Sequence, residues 1–291
     1  MRRLLVACLV TLVASAAGTV AAVDYMRGRV VETAFFVPRE VRSAVLGESR
    51  ELLVHLPESY HREPTRRYGV AYVLDGSSLD VPTADSAALM ARLGLTPELI
   101  VVGLPNVSGR GRQRDYTPPF MRRDLDVAVG SMGEADHFLD FLEQEVLPLV
   151  ERDYRTTATR LLSGHSRGGL LVSYAAMART TTFDAFLAHS PALWRDDEVL
   201  VSRFDGWLAT QSSLEMFFYV SMGSEEVPQM TKAFDRMREV LSRRATAAGL
   251  RWRADVVAGA DHQLNGPRAT PLGLRAFFNS CPSHQVVTCP L

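Results

Sequence analysis

The chain has 291 residues and a formal net charge of -1, with 47% of residues hydrophobic and 22% charged. This is ordinary globular composition, rich enough in apolar residues for one large core, and so small a net charge gives no basic field to hold a nucleic-acid backbone. No low-complexity linker, charge block or internal repeat divides the sequence, so a single domain over residues 29–291 is the expected organisation.

The N-terminus reads separately. Arg2 and Arg3 precede an uncharged run from Leu4 to Ala22 that turns from Leu/Val-rich to Ala/Gly/Ser/Thr-rich, the layout of a secretory signal peptide over residues 1–22. Small residues at Ala14-Ser15-Ala16 and Val20-Ala21-Ala22 offer cleavage sites, and the expected location is periplasmic or secreted. A retained N-terminal membrane anchor is the alternative, because the run approaches the roughly 20 residues a spanning helix needs; its weakly hydrophobic second half favours cleavage. Cys8 leaves with the signal, and the remaining pair, Cys281 and Cys289, suggests one disulfide in an oxidising compartment.

From Arg29 onward, strand-like and helix-like segments alternate, which predicts an α/β fold with a mostly parallel sheet covered on both faces. Arg29 to Val37 and Arg50 to Leu56, separated by the turn-prone Gly47-Glu48-Ser49, read as an antiparallel pair opening the sheet. Tyr68 to Leu74 is a continuous apolar run, as expected of a buried central strand, and a helix follows around Ala84 to Leu93. Leu99 to Leu104 is the next strand. Asn106 to Met132 reads as a long irregular stretch carrying Arg110, Arg112, Arg114, Arg122 and Arg123, a length uncommon unless functional. Glu134 to Tyr154 has a helical apolar stripe, with Pro148 ending or kinking its last turn. Arg160 to Ser163 is a short strand and Gly168 to Arg179 a helix. Strands follow at Ala185 to His189, Glu215 to Met222 and Arg251 to Val257, with a helix from Met230 to Ala248 between the last two.

Between a strand and a helix lies Gly164-His165-Ser166-Arg167-Gly168. This matches the G-x-S-x-G nucleophile elbow expected of an α/β-hydrolase fold, in which glycines permit the sharp turn that lifts a strained serine above the sheet. A helix N-cap serine is the bland alternative. A serine hydroxyl needs a base, and the order Ser, acid, His along the chain selects His262, in the loop after the last strand. The acid is expected after the Glu215 to Met222 strand, where Gly223-Ser224-Glu225-Glu226 stands; spacing favours Glu226 over Glu225, and a Ser/His dyad with both carboxylates solvated stays open. Asp261 ranks below them because it cannot easily turn back onto its neighbour's ring. Oxyanion donors are expected from the backbone N–H of Arg167, directly after the nucleophile, and of Ser77, after the Tyr68 to Leu74 strand.

With these residues in place the chain resembles the esterase D superfamily, in particular its bacterial siderophore trilactone esterases. The similar stretches are Tyr72 to Gly76, Arg114 to Pro118, Gly164 to Gly169, Ser190 to Trp194 and the terminal His262, in the same order over most of the mature chain. The resemblance implies hydrolysis of acyl or lactone esters of small molecules through an acyl-enzyme, with no metal or organic cofactor. Because the family also holds mycolyl-type acyltransferases and S-formylglutathione hydrolases, acyl transfer by the same triad remains an alternative, as does a non-catalytic binding protein on this scaffold. Trp194 and the arginine-rich stretch would then border the substrate pocket; substrate contact by Arg114 and simple solvation are equally open.

Overall fold

The computed structural model describes residues 36–121 and 133–281. Residues 1–22, the segment 29–35, Arg122, Arg123 and Cys289 lie outside the described residues, and with them the expected signal peptide and the expected partner of Cys281. Val37–Leu291 is one compact unit; of the other, Met1–Phe36, only Phe36 is described.

An eight-stranded sheet runs in the order β1-β2-β4-β3-β5-β6-β7-β8. Its strands are β1 (Phe36–Ser43), β2 (Glu48–His55), β3 (Tyr68–Leu74), β4 (Leu99–Leu104), β5 (Thr156–His165), β6 (Ala185–His189), β7 (Phe217–Gly223) and β8 (Arg251–Val257). β2 pairs with β4 antiparallel, and β4, β3, β5, β6, β7 and β8 follow one another parallel. Every residue of β3, β4, β6 and β7 is buried, which is why these strands read as unbroken apolar runs: helices on both faces leave no polar side to show.

Of the segment expected as the first strand only Phe36 and Val37 are described, and both belong to β1, which runs on to Ser43. It is an edge strand with only Val41 and Ser43 buried, and Pro38 is tolerated there because an edge residue owes no ladder donor. Such a strand carries little apolar signal.

The helices are α1 (Gly76–Arg92), α2 (Gly109–Tyr116), α3 (Ala135–Phe141), α4 (Leu147–Asp153), α5 (Arg167–Ala178), α6 (Arg195–Leu208), α7 (Pro228–Ala248) and α8 (His262–Ser280). Three segments before Tyr154 differ from expectation. α1 begins eight residues early, directly after Asp75, because Pro82 sits in its second turn and conceals the periodicity. The stretch expected to be irregular contains α2, a helix with almost no apolar residues, started by Ser108, whose side chain accepts from the Gly111 N–H. Between α3 and α4 the backbone widens into a π turn, Leu142–Val146, just before Pro148, whose ring and missing N–H disturb a regular ladder; the helical conformation continues through it into α4.

The parallel order aims the carboxyl ends of β3, β5, β7 and β8 at one edge of the sheet, where ligands bind in open α/β folds. The residues that follow those four ends are Asp75, Ser166, Glu226 and His262.

Candidate active site

β5 ends at His165, and α5 starts at Arg167, leaving Ser166 alone in the turn with φ 57° and ψ -115°. A side chain at Gly164 would place its Cβ 2.6 Å from the Gly168 carbonyl carbon, so this turn closes only without one. The strained serine is held from both sides: its N–H donates to His189 O at 2.9 Å, and its carbonyl accepts from Leu170 N at 2.9 Å and Ala192 N at 3.0 Å. The hydroxyl points to His262, whose Nε2 lies 3.0 Å from Ser166 Oγ.

His262 is not in a loop, as the sequence reading has it, but is the first residue of α8. Asp261 is the N-cap, its carboxylate accepting from the Gln263 and Leu264 N–H groups at 3.0 and 2.9 Å, so that acid is spent on starting the helix. Pro267 and Pro271 inside α8 hide it from a periodicity reading. The opposite ring nitrogen, Nδ1, lies 2.9 Å from Glu226 Oε2. Because a carboxylate only accepts, the proton sits on Nδ1 and Nε2 is free to accept from the serine. Glu226 has a fully buried side chain, whereas Glu225 is exposed.

Burial works to raise the Glu226 pKa, but hydrogen bonds from His262, Ser190 and the Gly223 N–H outweigh it and leave the carboxyl below its ordinary value. His165 lies beside the His262 ring, centroids 4.5 Å apart, and its Nε2 is 2.6 Å from the His262 carbonyl oxygen. Burial, reinforced by the neighbouring His262, lowers the His165 pKa to about 4, so its ring stays neutral and props the first turn of α8.

Both expected oxyanion donors fall in first turns of helices, where backbone N–H groups have no intrahelical acceptor: Arg167 is the first residue of α5 and Ser77 the second of α1. A cavity of about 520 Å³ is lined by Ser166, His262, Ser77, Asn106, Arg112 and Gln263, among others. The Arg167 side chain turns elsewhere, buried with Nη1 donating to Thr117 Oγ1 at 2.9 Å; burial and the nearby Arg195 and Arg112 lower its pKa to about 10.

Two expected pocket residues are not among those lining this cavity. Arg114 is drawn into a carboxylate cluster, 2.6 Å from Glu48 and 2.7 Å from Asp115. Trp194 packs on the core beneath the Arg195 guanidinium, 4.6 Å from its ring centroid. The arginine that does line the cavity is Arg112, whose Nε and Nη2 grip the two Asp75 oxygens at 2.6 and 2.8 Å; Asn106 also donates to Asp75. α2 explains the exchange: residues 112 and 114 stand roughly 200° apart on a helix, and composition alone does not say which faces the site.

Among the described residues no group of three or more His, Cys, Asp or Glu is placed to hold a metal ion, and no helix is long and apolar enough to cross a membrane.

Residues 43–266 match a protein-family model described as "Putative esterase". The siderophore triacetylfusarinine C esterase of Aspergillus fumigatus is 26% identical over 273 residues, covering 82% of this chain and 92% of that protein. The ferri-bacillibactin esterase BesA of Bacillus subtilis is 25% identical over 229 residues, 73% of this chain and 79% of its own. In fold, the chain superposes on an IroE-like serine hydrolase from Shewanella oneidensis with a TM-score of 0.76, at 24% identity, over 82% of this chain and 79% of that one.

Proposed function

The chain belongs to the esterase family, and on that premise we propose that it hydrolyses its ester through an acyl-enzyme formed on Ser166, with His262 as base and Glu226 as the acid that orients it. The observation that carries this reading is the continuous line from Glu226 Oε2 to His262 Nδ1 at 2.9 Å and from His262 Nε2 to Ser166 Oγ at 3.0 Å. His262 takes the Ser166 proton as Oγ attacks the ester carbonyl, and the N–H groups of Arg167 and Ser77 receive the developing oxyanion. The imidazolium, stabilised by Glu226, then gives its proton to the leaving alkoxide. Water, activated by the same imidazole, releases the acid and restores the serine.

The substrate we infer is a small-molecule ester of the siderophore trilactone kind, on the strength of two relatives named for such esters. The rest of the reading is a cleaved signal over residues 1–22, a single catalytic domain over 29–291, a periplasmic or secreted location and a Cys281–Cys289 disulfide. Ser166→Ala, assayed on a short activated ester and on a catecholate trilactone, is expected to lose at least about 10³-fold in kcat. Retained turnover would sink the nucleophile assignment, and turnover of the activated ester alone by the unaltered protein would sink the substrate assignment.

A further inference from the structure

Resting on the roles given above to Ser166, His262 and Glu226, we propose that Ser190 and Asn265 are positioning residues for the catalytic acid, forming a directed chain of hydrogen bonds that holds Glu226 with its free oxygen turned to His262.

The direction of the chain follows from what each group can donate. Ser190 Oγ donates to Glu226 Oε1 at 2.5 Å, and the Gly223 N–H donates to the same oxygen at 2.9 Å. Oε1 is thereby occupied, and Oε2 is left for His262. A serine has a single proton to give, so the amide of Asn265, which reaches Ser190 Oγ at 2.8 Å, must be donor there; that donation fixes the Ser190 proton on the carboxylate. The second Asn265 proton goes to Ser221 Oγ at 3.0 Å. Complete burial, assisted by His165, lowers the His189 pKa to about 3 and keeps its ring neutral; Thr270 Oγ1 gives its own proton to Gly266 O and so accepts from His189 Nε2, which leaves Nδ1 to accept from Ser221 Oγ, 3.1 Å away. Protons therefore point outward from Asn265 along both branches, and one branch ends on Glu226.

Two further features show that the arrangement serves the donors. Asn265 is 0% exposed, yet its Oδ1 has no hydrogen-bond partner among the described residues: a buried acceptor is left unpaired while both donors are used. Ser190 has φ 42°, a conformation glycine takes without strain and serine does not. The position nevertheless carries a hydroxyl, and that hydroxyl is spent on Glu226. Asn265 also stands three residues after His262 on α8, on the same helix face, so one rigid element presents both the base and the group that organises its acid.

The test is Ser190→Gly, which removes the hydroxyl while relieving the backbone, with Asn265→Asp as the second variant, replacing donors by acceptors at unchanged shape. Both are compared with the unaltered protein by thermal melting and by the pH profile of kcat/KM on an activated ester, with Ser166→Ala in the same assay. Expected for Ser190→Gly are an undiminished melting temperature, a kcat about 10- to 100-fold lower with KM nearly unchanged, and an acid limb moved to lower pH because the imidazolium has lost a well-aimed carboxylate. Asn265→Asp should lose at least as much. Unaltered kcat and profile in Ser190→Gly, or losses that follow melting temperature with the profile unmoved, would overturn the positioning role. Activity surviving in Ser166→Ala would instead remove the triad on which it rests.

Discussion

His262 Nε2 stands 3.0 Å from Ser166 Oγ across 96 residues of sequence, and the serine meets it in a backbone conformation that costs energy. With φ 57° and ψ -115°, a non-glycine residue gives up about 1–3 kcal/mol. Ser166→Gly should therefore raise stability, by about 1 kcal/mol after the larger unfolded-state entropy of glycine, whereas Ser166→Ala, which keeps a Cβ at the same φ, should not. Urea unfolding of the two variants measures the difference, and equal midpoints would mean that the turn is not strained.

The two neighbouring glutamates should separate cleanly. Glu226→Gln keeps the shape but has one acceptor oxygen where two are needed, so its NH2 must face either the donor at His262 Nδ1 or the donors Ser190 and Gly223, and kcat should fall by about 10²- to 10⁴-fold. Glu225 is exposed, and Glu225→Gln should stay within about threefold of the unaltered protein. Comparable losses in both would show that the imidazole is not oriented by a single carboxylate.

Most of the sheet could be read from the sequence because β3, β4, β6 and β7 are buried on both faces and have no polar alternation to confuse with helix. The proposed nucleophile, base and acid stand out in the sequence for a different reason: each follows a strand end, and chain order alone ranks the candidates. What stayed hidden depended on helix phase. Arg112 and Arg114 differ only in which side of α2 they occupy, and Asn265 could be grouped with His262 only once Asp261 is recognised as an N-cap. Ser190 lies in the Ser190 to Trp194 stretch, but its hydrogen bond to Glu226 joins residues 36 apart, which no sequence pattern states.

The arginine exchange gives its own test. Arg112 holds Asp75, the residue preceding Gly76 and Ser77, through two hydrogen bonds; Arg112→Ala should free that turn and lower kcat/KM by about tenfold or more. Arg114 instead joins Glu48 and Asp115 away from the cavity. Arg114→Ala should cost about 1–2 kcal/mol of stability and change kcat/KM by less than about threefold. The reverse ranking in steady-state kinetics would return Arg114 to the substrate pocket.

Acid should weaken the fold well before ordinary carboxylates titrate. His189 and His165 have folded pKa values lowered from 6.5 to about 3 and about 4, in each case first by burial. A lowered histidine pKa means that the unfolded chain binds the proton more readily than the folded one, so stability is complete above 6.5 and is lost as pH falls, down to about 4 for His165 and about 3 for His189. Each group can contribute at most about 1.4 kcal/mol per pH unit in that window. Glu226, also lowered from its ordinary 4.5, adds a loss of the same sign only below that value. Urea midpoints should therefore drop measurably between pH 7 and pH 5. His189→Asn, whose amide oxygen can take the Ser221 hydrogen bond in place of Nδ1 but does not titrate, should remove about half of that slope. A midpoint independent of pH over this range would mean that the two imidazoles are not held neutral in the folded protein.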